Sequence, residues 1–430
     1  MRIVTDPSSE DWYSLLKRPT FDVTSLFEVV NGVLDSVRKD GDAALRMWEK
    51  KFDKVDLTDL RVSDWEYQEA SAHVSEELKA AIKLAYENIS AFHAAQKFMP
   101  IEVETRPGVR CWQKAVPIEK VGLYVPGGTA PLFSTVLMLA IPARIAGCRE
   151  IVLCTPPDSK GRIHPAILYA ARLAGVTDVF KVGGSQAIAA LAYGTESIPK
   201  VDKIFGPGNQ YVTAAKQLVS LSDVAIDMPA GPSEVEVLAD ETANPDFIAA
   251  DLLSQAEHGV DSQVLLVTTS QELIDSVCEA LTEQLELLPR KEIAEKALMN
   301  SKIILLHDKD EAIKLTNEYA PEHLIIVMKD YQDIAERITH AGSVFLGPYS
   351  CESAGDYASG TNHTLPTKGY AKAYSGLCLD SFMRKITFQE LTAEGIREIG
   401  AAVECMAANE SLDAHKNAMT IRLNSLRDIK

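Results

Sequence analysis

The chain has 430 residues, of which 46% are hydrophobic and 24% are charged, the composition of a globular protein with room for two sizeable domains. Its formal net charge of −18 disfavours nucleic acids and anionic membranes as main partners, because both require a basic surface. We therefore expect neither nucleic acid nor a membrane among its partners.

The beginning of the chain and its cysteines predict a cytoplasmic protein. Residues 1–7 lack the apolar core of a secretory signal peptide. The longest apolar stretch, residues 136–146, contains Pro142 and Arg144 and is too short to span a bilayer. The seven cysteines are scattered without a Cys-x-x-Cys motif, so we interpret them as reduced thiols and not as a disulfide or zinc framework.

Helical periodicity dominates residues 1 to about 100. Apolar residues recur at the spacing of one helix face in two runs, which are Phe27, Val30, Val33, Leu34 and Val37, and then Leu78, Ile82, Ala85 and Ile89. Glycine-rich loops and metal-ligand spacings do not occur there. We therefore expect this segment to serve packing and assembly.

From Val121 onwards strands and helices alternate, which predicts parallel sheets of the doubly wound kind. The first unit has predicted strands at 121–125, 150–154, 178–181 and 203–205, and helices at 134–146, 163–174, 185–193 and 210–219. The second begins near Ser222, where residues 223–226 lead into a turn at 228–233. Its predicted strands are at 234–238, 263–267, 302–306, 323–327 and 342–346, and its helices at 245–257, 270–287, 309–318 and 331–339. Similar turns at 125–128 and 228–231 suggest two related halves with one sheet each.

After Gly347 the pattern becomes irregular. Residues 349–367 are rich in Ser, Gly, Thr and Asn, which is typical of a binding loop that follows a strand. Residues 375–380 are predicted to form a strand or hairpin arm, and residues 392–427 two closing helices.

The predicted fold is therefore α/β, with two incomplete Rossmann-like domains that each contain a doubly wound parallel sheet, a helical N-terminal segment and a small helical C-terminal tail.

Candidate metal ligands are spread over several distant segments. Gln255 and His258 lie one turn apart near the end of a predicted helix, so both side chains could reach one metal ion. Further polar residues follow in apolar or Gly/Pro-rich surroundings, namely Asp356, His363, Glu410 and His415. Mixed nitrogen and oxygen ligands of this kind suit a catalytic divalent ion such as zinc. The other five histidines are interpreted as ordinary residues without a ligand role, with His73 and His93 on amphipathic helices and His164, His307 and His340 in loops or at helix ends.

The segment Pro321-Glu322-His323 places a carboxylate and an imidazole at the start of an apolar strand. The two groups form a general acid–base pair that works near neutral pH. A helix-cap or surface pair is the alternative interpretation of these residues.

Three glycine-containing turns each follow a predicted strand and open a helix. They are Pro126-Gly-Gly-Thr, Gly183-Gly-Ser-Gln186 and Gly206-Pro-Gly-Asn209. Such turns let the backbone approach an anionic ligand at a helix N-terminus. They match neither the dinucleotide fingerprint nor the phosphate-loop pattern, but three in one sheet favour a nucleotide-type ligand.

These residues together resemble the histidinol dehydrogenase family over nearly the whole chain. The resemblance is carried by Val121-Gly-Leu-Tyr-Val-Pro-Gly-Gly, Phe205-Gly-Pro-Gly-Asn, Ala230-Gly-Pro-Ser-Glu, Ser254-Gln-Ala-Glu-His-Gly, Ala320-Pro-Glu-His-Leu, Ala354-Gly-Asp-Tyr-Ala-Ser-Gly and Asn362-His-Thr-Leu-Pro-Thr, with Glu410 and His415. It implies a zinc enzyme, with one Zn²⁺ per subunit, that oxidises L-histidinol to L-histidine through an aldehyde in two NAD-dependent steps. It also implies a homodimer with shared active sites, in which His415 and Glu410 complete the site of a second copy.

The resemblance further implies four divisions of the chain. They are an N-terminal arm at 1–21, a first Rossmann-like domain at 22–130 plus 234–376 with the metal and catalytic residues, a second Rossmann-like domain at 131–233 that binds NAD, and a tail at 377–430 that contributes to the partner subunit.

The resemblance also implies a role for each matching residue. The implied zinc ligands are Gln255, His258, Asp356 and His415, and the implied acid–base residues are Glu322 and His323. The implied substrate pocket contains Ser233, Gln255, His258, Glu322, His323, Asp356, His363, Glu410 and His415. The implied NAD contacts are Tyr124, Gln186 and Asn209.

Three other functions stay open from the sequence. One is a zinc hydrolase in which Glu322 activates a metal-bound water and no nucleotide takes part. Another is a metal- or ligand-binding protein without turnover, and a third is an enzyme that oxidises a different amino alcohol. The glycine turns favour a dehydrogenase over a hydrolase, and Ser233, His363 and Glu410 match the histidinol pocket of the family.

Overall fold

The computed structural model describes residues 1–19, 23–127, 130–228 and 231–427. Four residues of the predicted turns, Gly128, Thr129, Pro229 and Ala230, lie outside the described residues. So do the predicted boundary of the arm at 21 and 22 and the last three residues of the predicted tail.

Strands and helices alternate through most of the chain. The strands are β1 (Arg2–Thr5), β2 (Ile101–Arg106), β3 (Val109–Pro117), β4 (Lys120–Tyr124), β5 (Glu150–Thr155), β6 (Asp178–Lys181), β7 (Lys203–Phe205), β8 (Ala225–Ile226), β9 (Glu234–Ala239), β10 (Gln263–Thr268), β11 (Lys302–Leu305), β12 (His323–Val327), β13 (Ser343–Leu346) and β14 (Met383–Leu391). The α-helices are α1 (Trp12–Leu15), α2 (Phe27–Phe52), α3 (Asp64–His73), α4 (Glu76–Ala94), α5 (Phe133–Ala146), α6 (Pro165–Ala174), α7 (Gly184–Tyr193), α8 (Gln210–Ser220), α9 (Pro245–Ala256), α10 (Gln271–Leu287), α11 (Lys291–Met299), α12 (Lys309–Tyr319), α13 (Tyr331–Ala335), α14 (Glu352–Tyr357), α15 (Ala393–Asn409) and α16 (Asp413–Ser425).

Two parallel sheets form the framework. Among the described residues, the larger sheet has six strands in the order β1-β11-β10-β9-β12-β13, and the smaller has five in the order β6-β5-β4-β7-β8. When the strands are renumbered in chain order, starting from β9 in the larger sheet and from β4 in the smaller one, both sheets have the spatial order 3-2-1-4-5. The larger sheet also has β1 as an additional edge strand. The predicted α/β fold with two doubly wound parallel sheets is therefore confirmed.

Helices cover both faces of each parallel sheet and keep its central strands buried. All residues of β9 and β10 are buried, as expected for the near-continuous apolar strands of a parallel sheet. One face of the larger sheet packs on α9, α10 and α11, and the other on α1 and α12. Each fully buried Leu, Ile or Val side chain contributes roughly 1.5–3 kcal/mol of transfer free energy, so these layers supply much of the stability.

Contact clustering divides the chain into two compact units. The first, residues 1–96 and 118–382, contains both parallel sheets. The second, residues 97–117 and 383–430, contains a three-stranded antiparallel sheet in the order β14-β3-β2 together with α15 and α16. The domain boundaries expected from the sequence stay a prediction. In the structure, β4 lies at the centre of the smaller sheet, although the sequence placed it in the first domain.

Some local elements differ from those predicted. The N-terminal segment, predicted to be helical, begins with β1, which is too short to show a periodicity and pairs in parallel with β11. The predicted strand at 375–380 is wrong, because this stretch is irregular up to the 3₁₀ helix Leu379–Phe382, and β14 begins only at Met383. The two closing helices are present as α15 and α16. Among the described helices, none combines the length and apolar character needed to cross a bilayer.

A buried ion pair fixes one of the glycine turns of the smaller sheet. Lys216 on α8 pairs with Asp227, and their side chains are only 6% and 2% exposed. Lys216 Nζ also donates to the Gly206 carbonyl at 2.8 Å, and the Gly206 amide donates to Asp227 Oδ2 at 2.8 Å. Gly206 has φ +122°, and a Cβ there would lie 2.0 Å from the Tyr124 carbonyl oxygen, so only glycine fits.

We expect Lys216→Ala to lower the free energy of unfolding by about 3–5 kcal/mol, because it leaves Asp227 buried without its cation. Lys50→Ala is the matched control, since Lys50 pairs with Asp56 where both side chains are exposed, at 67% and 76%. Its effect should stay within about 1 kcal/mol. Urea denaturation of both variants measures the difference, and equal losses would contradict a structural role for the buried pair.

Candidate active site

The main chain of Glu234, at the start of β9, organises a cluster of polar side chains. Its amide donates to Glu322 Oε2 at 2.8 Å. Its carbonyl oxygen accepts from Gln255 Nε2 at 3.1 Å and lies 3.0 Å from His323 Nδ1. Because a carbonyl oxygen can only accept a hydrogen bond, this contact places a proton on Nδ1 of His323. Nε2 of the ring then faces away from Glu234.

The cluster lies at the amino edge of the larger sheet. His323 is the first residue of β12 and pairs in register with Val235 of β9, so both strands begin at this edge. Glu322 is buried immediately before β12. Ligands of open α/β sheets usually bind at the opposite, carboxyl edge, so this site does not follow the general rule.

Three carboxylates surround the ring of His323. Glu322 Oε2 lies 3.7 Å and Glu352 Oε1 3.9 Å from Nδ1, and Asp356 Oδ1 lies 3.5 Å from Nε2. Burial lowers the pKa of His323, but the negative charges of Glu352, Glu322 and Asp356 more than offset this, so the pKa is raised well above its usual value. Burial also raises the pKa of Glu322 and of Glu352 to about 8 in each case.

Several buried polar atoms of this cluster have no hydrogen-bond partner among the described residues. They are Gln255 Oε1, His323 Nε2, Glu352 Oε2 and Asp356 Oδ1. Ligand atoms of His323, Glu352 and Asp356 all lie within 4.8 Å of one another. Unpaired buried nitrogen and oxygen atoms of this kind are costly unless a cation or a polar ligand binds them, so the donor set fits a divalent metal ion.

Glu352 is a member of this cluster that the sequence did not reveal. Glu352 and Asp356 are four residues apart on α14, a spacing that places both side chains on one helix face. That spacing is visible in the sequence, but α14 is too short to show a helical periodicity. Only the distance between Glu352 and His323 in the folded chain shows that Glu352 belongs to the cluster.

The predicted metal ligands lie in different places. Gln255 on α9 and Asp356 on α14 both contact His323. His258 does not share a helix with Gln255, because α9 ends at Ala256 and His258 lies in the turn that follows. The residue as a whole is exposed, but burial of its ring lowers its pKa, and the ring is close enough to Asp356 for that charge to act on it. His415 is exposed on α16, in the second compact unit.

Two further predicted substrate residues, Ser233 and Glu410, also lie in different compact units. Ser233 lies half-buried directly before β9, and its carbonyl accepts from the Gln263 amide at 3.2 Å. Glu410 is exposed at the end of α15 in the second unit.

His363 connects the cluster to the smaller sheet. Its Nδ1 lies 2.9 Å from the Asp356 carbonyl oxygen, and its Nε2 lies 3.2 Å from Thr135 Oγ1 on α5. Burial lowers its pKa, which favours the neutral ring at pH 7. The neutral ring then donates from Nδ1 and accepts the Thr135 hydroxyl proton at Nε2.

A cavity of about 840 Å³ opens at the carboxyl edge of the smaller sheet, within the size range of cofactor sites. Its lining includes Tyr124, Gln186 and Asn209, the three predicted nucleotide contacts, and residues that follow β4, β5, β6 and β7. This is the topological switch point at which doubly wound sheets bind nucleotides.

Hydrogen bonds already hold these three side chains in place. The Tyr124 hydroxyl accepts from the Gly184 amide at 3.1 Å, and Asn209 Oδ1 caps α8. Gln186 Nε2 donates to Glu49 Oε1 at 2.9 Å, while Gln186 Oε1 is buried without a partner among the described residues. Burial raises the pKa of Glu49 to about 7. The sequence did not reveal Glu49, because the apolar pattern of α2 does not indicate that this residue contacts Gln186.

Comparisons with known proteins agree on one family. The model of the histidinol dehydrogenase family matches residues 16–423. The chain is 66% identical over 427 residues to the histidinol dehydrogenase of Bacteroides thetaiotaomicron, covering 99% of this chain and 100% of that protein. It is 55% identical over 424 residues to that of Escherichia coli K12, covering 98% and 97%. The crystal structure of histidinol dehydrogenase from Elizabethkingia anophelis superposes with a TM-score of 0.98 at 55% identity, over 100% of this chain and 99% of that one.

We expect Asp356→Asn to weaken Zn²⁺ binding by tenfold or more, because it removes an unpaired anionic oxygen from the cluster, a loss on the order of those seen when metal-site groups are removed. Equilibrium dialysis of metal-free protein, with the Zn²⁺-induced rise in thermal midpoint as a second measure, tests this. Asp333→Asn on the exposed side of α13 is the control. Equal Zn²⁺ affinity in both variants would contradict a metal site at Asp356.

Proposed function

The chain belongs to the histidinol dehydrogenase family, and we propose that it oxidises L-histidinol to L-histidine in two NAD-dependent steps through an aldehyde. As a member of this family it is an oxidoreductase that acts on a CH–OH group. The observation that carries the proposal is the buried acid–base cluster on the main chain of Glu234, whose unpaired ligand atoms lie beside Glu322 and His323. His363 connects this cluster to Thr135 on α5, the helix that follows the central strand of the smaller sheet.

We propose that Gln255, His258 and Asp356 hold one Zn²⁺, together with His415 from a second copy of the chain. The unpaired Gln255 Oε1 and Asp356 Oδ1 support this assignment, and the exposure of His415 and Glu410 leaves both free to reach another subunit. The cavity with Tyr124, Gln186 and Asn209 would take NAD. When bound, the metal supplies a Lewis-acidic centre for the substrate nitrogens, and NAD supplies the acceptor for each hydride.

In the first oxidation, His323 takes the proton of the substrate hydroxyl while the hydride leaves the carbinol carbon. Nε2 is the atom that can do so, since Nδ1 is committed to the Glu234 carbonyl. This requires the neutral ring, which a bound cation would favour because it would offset the negative charges that raise the pKa of His323. Ser233 and His363 would position the substrate, and burial of the cluster excludes bulk water from the aldehyde.

In the second oxidation, the carboxylate form of Glu322 acts as the general base for water. Burial raises the pKa of Glu322 to about 8, and a bound cation would favour the carboxylate. Its Oε2 is held by the Glu234 amide, which leaves Oε1 to accept a proton from a water molecule that attacks the aldehyde carbon. The attack and this proton transfer give the anion of the aldehyde hydrate, which passes its hydride to a second NAD and releases its remaining hydroxyl proton to give the carboxylate.

We further propose that the enzyme works in the cytoplasm, at the last step of histidine biosynthesis, as a homodimer. All seven cysteines are free thiols in the structure, which suits a reducing compartment.

Purified protein should produce about two NADH per L-histidinol, because a four-electron oxidation requires two hydride transfers. A chelator should abolish NADH formation and Zn²⁺ should restore it, since the metal orients the substrate. NADH absorbance measures both. Absence of NADH from folded, zinc-loaded protein would refute the proposed substrate.

Glu322→Gln should leave the oxidation of histidinol to the aldehyde nearly unchanged and slow the oxidation of the aldehyde by roughly 100-fold or more, the usual contribution of a general base. Single-turnover assays started from histidinol and from the aldehyde separate the two steps. Glu318→Gln, at an exposed position of α12, is the control. Equal slowing of both steps in Glu322→Gln would contradict this division of labour.

If His415 completes the site of the other subunit, two inactive variants should complement each other. Mixed dimers of His415→Ala and His323→Ala chains contain one intact site, so a randomly reassembled mixture should recover about a quarter of wild-type activity. Co-refolded mixtures measure this, with each variant alone as the control. A mixture as inactive as its parents would argue against shared sites.

A further inference from the structure

Arg18, in the N-terminal segment, reaches the start of β9 from a distant part of the sequence. Its Nε donates to Glu234 Oε1 at 2.6 Å and its Nη2 to Glu234 Oε2 at 2.9 Å, a bidentate pair. The two side chains are only 14% and 3% exposed. The buried Leu15 and Leu16 anchor this segment in the core of the larger sheet.

The same guanidinium binds the segment that leads into Glu322. Arg18 Nη2 donates to the Tyr319 carbonyl at 2.6 Å, and it lies 3.4 Å from the Ala320 carbonyl. Its Cζ lies 3.9 Å from the centre of the Tyr319 ring. Ala320 has φ +52°, a left-handed conformation that ends α12 directly before Pro321, so Arg18 holds the turn that aims Glu322 and His323.

Glu234 carries this restraint into a third segment. Its Oε1 also accepts from the Lys368 amide at 2.7 Å, five residues after His363. The side chain of Glu234 therefore joins the N-terminal segment to the binding loop, while its main chain contacts Glu322, His323 and Gln255.

We propose that Arg18 is a positioning residue for the oxidation, which fixes the main chain of Glu234 and thereby the orientation of Glu322, His323 and Gln255. The inference rests on the proposed function. It also assigns a role to the N-terminal segment, which the sequence could interpret only as packing. Arg18 does not touch the cluster itself and acts through the carboxylate and main chain of Glu234.

Lysine cannot replace arginine in this role. A lysine ammonium is a point charge that can bind one carboxylate oxygen, but it lacks the planar fork that holds both oxygens and a carbonyl at once. Because a misplacement of about 1 Å at a reacting group can cost on the order of 100-fold in rate, the loss of this fork should appear in turnover before it appears in folding.

The test compares Arg18→Lys and Arg18→Ala with wild-type holoenzyme. For each, kcat is measured per zinc-loaded chain, together with KM for NAD, zinc content and thermal midpoint. Arg38→Lys is the matched control, because Arg38 also pairs with a carboxylate, Asp223, and also lies over a tyrosine ring, that of Tyr193, but packs on the smaller sheet.

We expect kcat per loaded chain to fall about tenfold in Arg18→Lys and about 100-fold in Arg18→Ala, with KM for NAD within about twofold of wild type, since the cavity belongs to the smaller sheet. Guanidinium ion should restore part of the Arg18→Ala rate, and sodium chloride at equal ionic strength should not. Arg38→Lys should keep the wild-type kcat.

Unchanged kcat per loaded chain in both Arg18 variants, with only a lower thermal midpoint, would show that Arg18 is merely structural and would overturn the proposal. The same holds if KM for NAD rises in place of a fall in kcat. If wild-type holoenzyme itself does not oxidise histidinol, the proposed function fails, and the positioning role fails with it. An active wild type with unaffected variants overturns only the role of Arg18.

Discussion

The polar groups at the beginning of β9 must be satisfied in a place that water does not reach. Glu234 is buried at the point where the ladder of the larger sheet starts, and an unpaired amide or carbonyl there would cost free energy comparable to a lost hydrogen bond. Glu322 accepts from the amide, and Gln255 donates to the carbonyl. The same hydrogen bonds that satisfy the edge of the sheet therefore also orient the proposed catalytic groups.

The stability cost of this arrangement lies in the charges that it buries. Glu322 and Glu352 have pKa values raised to about 8 by burial, and His323 is surrounded by carboxylates. Buried atoms of the cluster, among them Asp356 Oδ1, also lack partners among the described residues. A site that is incompletely satisfied without a cation is suited to bind one tightly, because binding relieves both the charge repulsion and the unpaired oxygens.

The two sheets share one topology but use opposite edges. The cavity of the smaller sheet lies at its carboxyl edge, as expected for a nucleotide site, whereas the cluster of the larger sheet lies at its amino edge. The hydrogen bond between His363 and Thr135 joins the larger sheet's binding loop to α5 of the smaller one. Under the proposed function, the hydride acceptor and the acid–base pair would be supplied by two sheets with the same strand order, so that neither sheet needs to hold both.

The sequence by itself determined the parallel strands, because long apolar runs bounded by glycine turns have few other stable arrangements. It also indicated Glu322 and His323 as a candidate acid–base pair, because a carboxylate and an imidazole directly before an apolar strand are conspicuous. The tertiary structure alone decided the parts that depend on distant segments. Arg18, Glu49 and Glu352 are ordinary charged residues on their own elements, and no local pattern distinguishes a buried carboxylate from an exposed one. The antiparallel sheet of β2, β3 and β14 pairs β3 with a strand about 280 residues further along the chain. Local periodicity reports only which face of an element is apolar, so contacts between elements become visible only once the chain has folded.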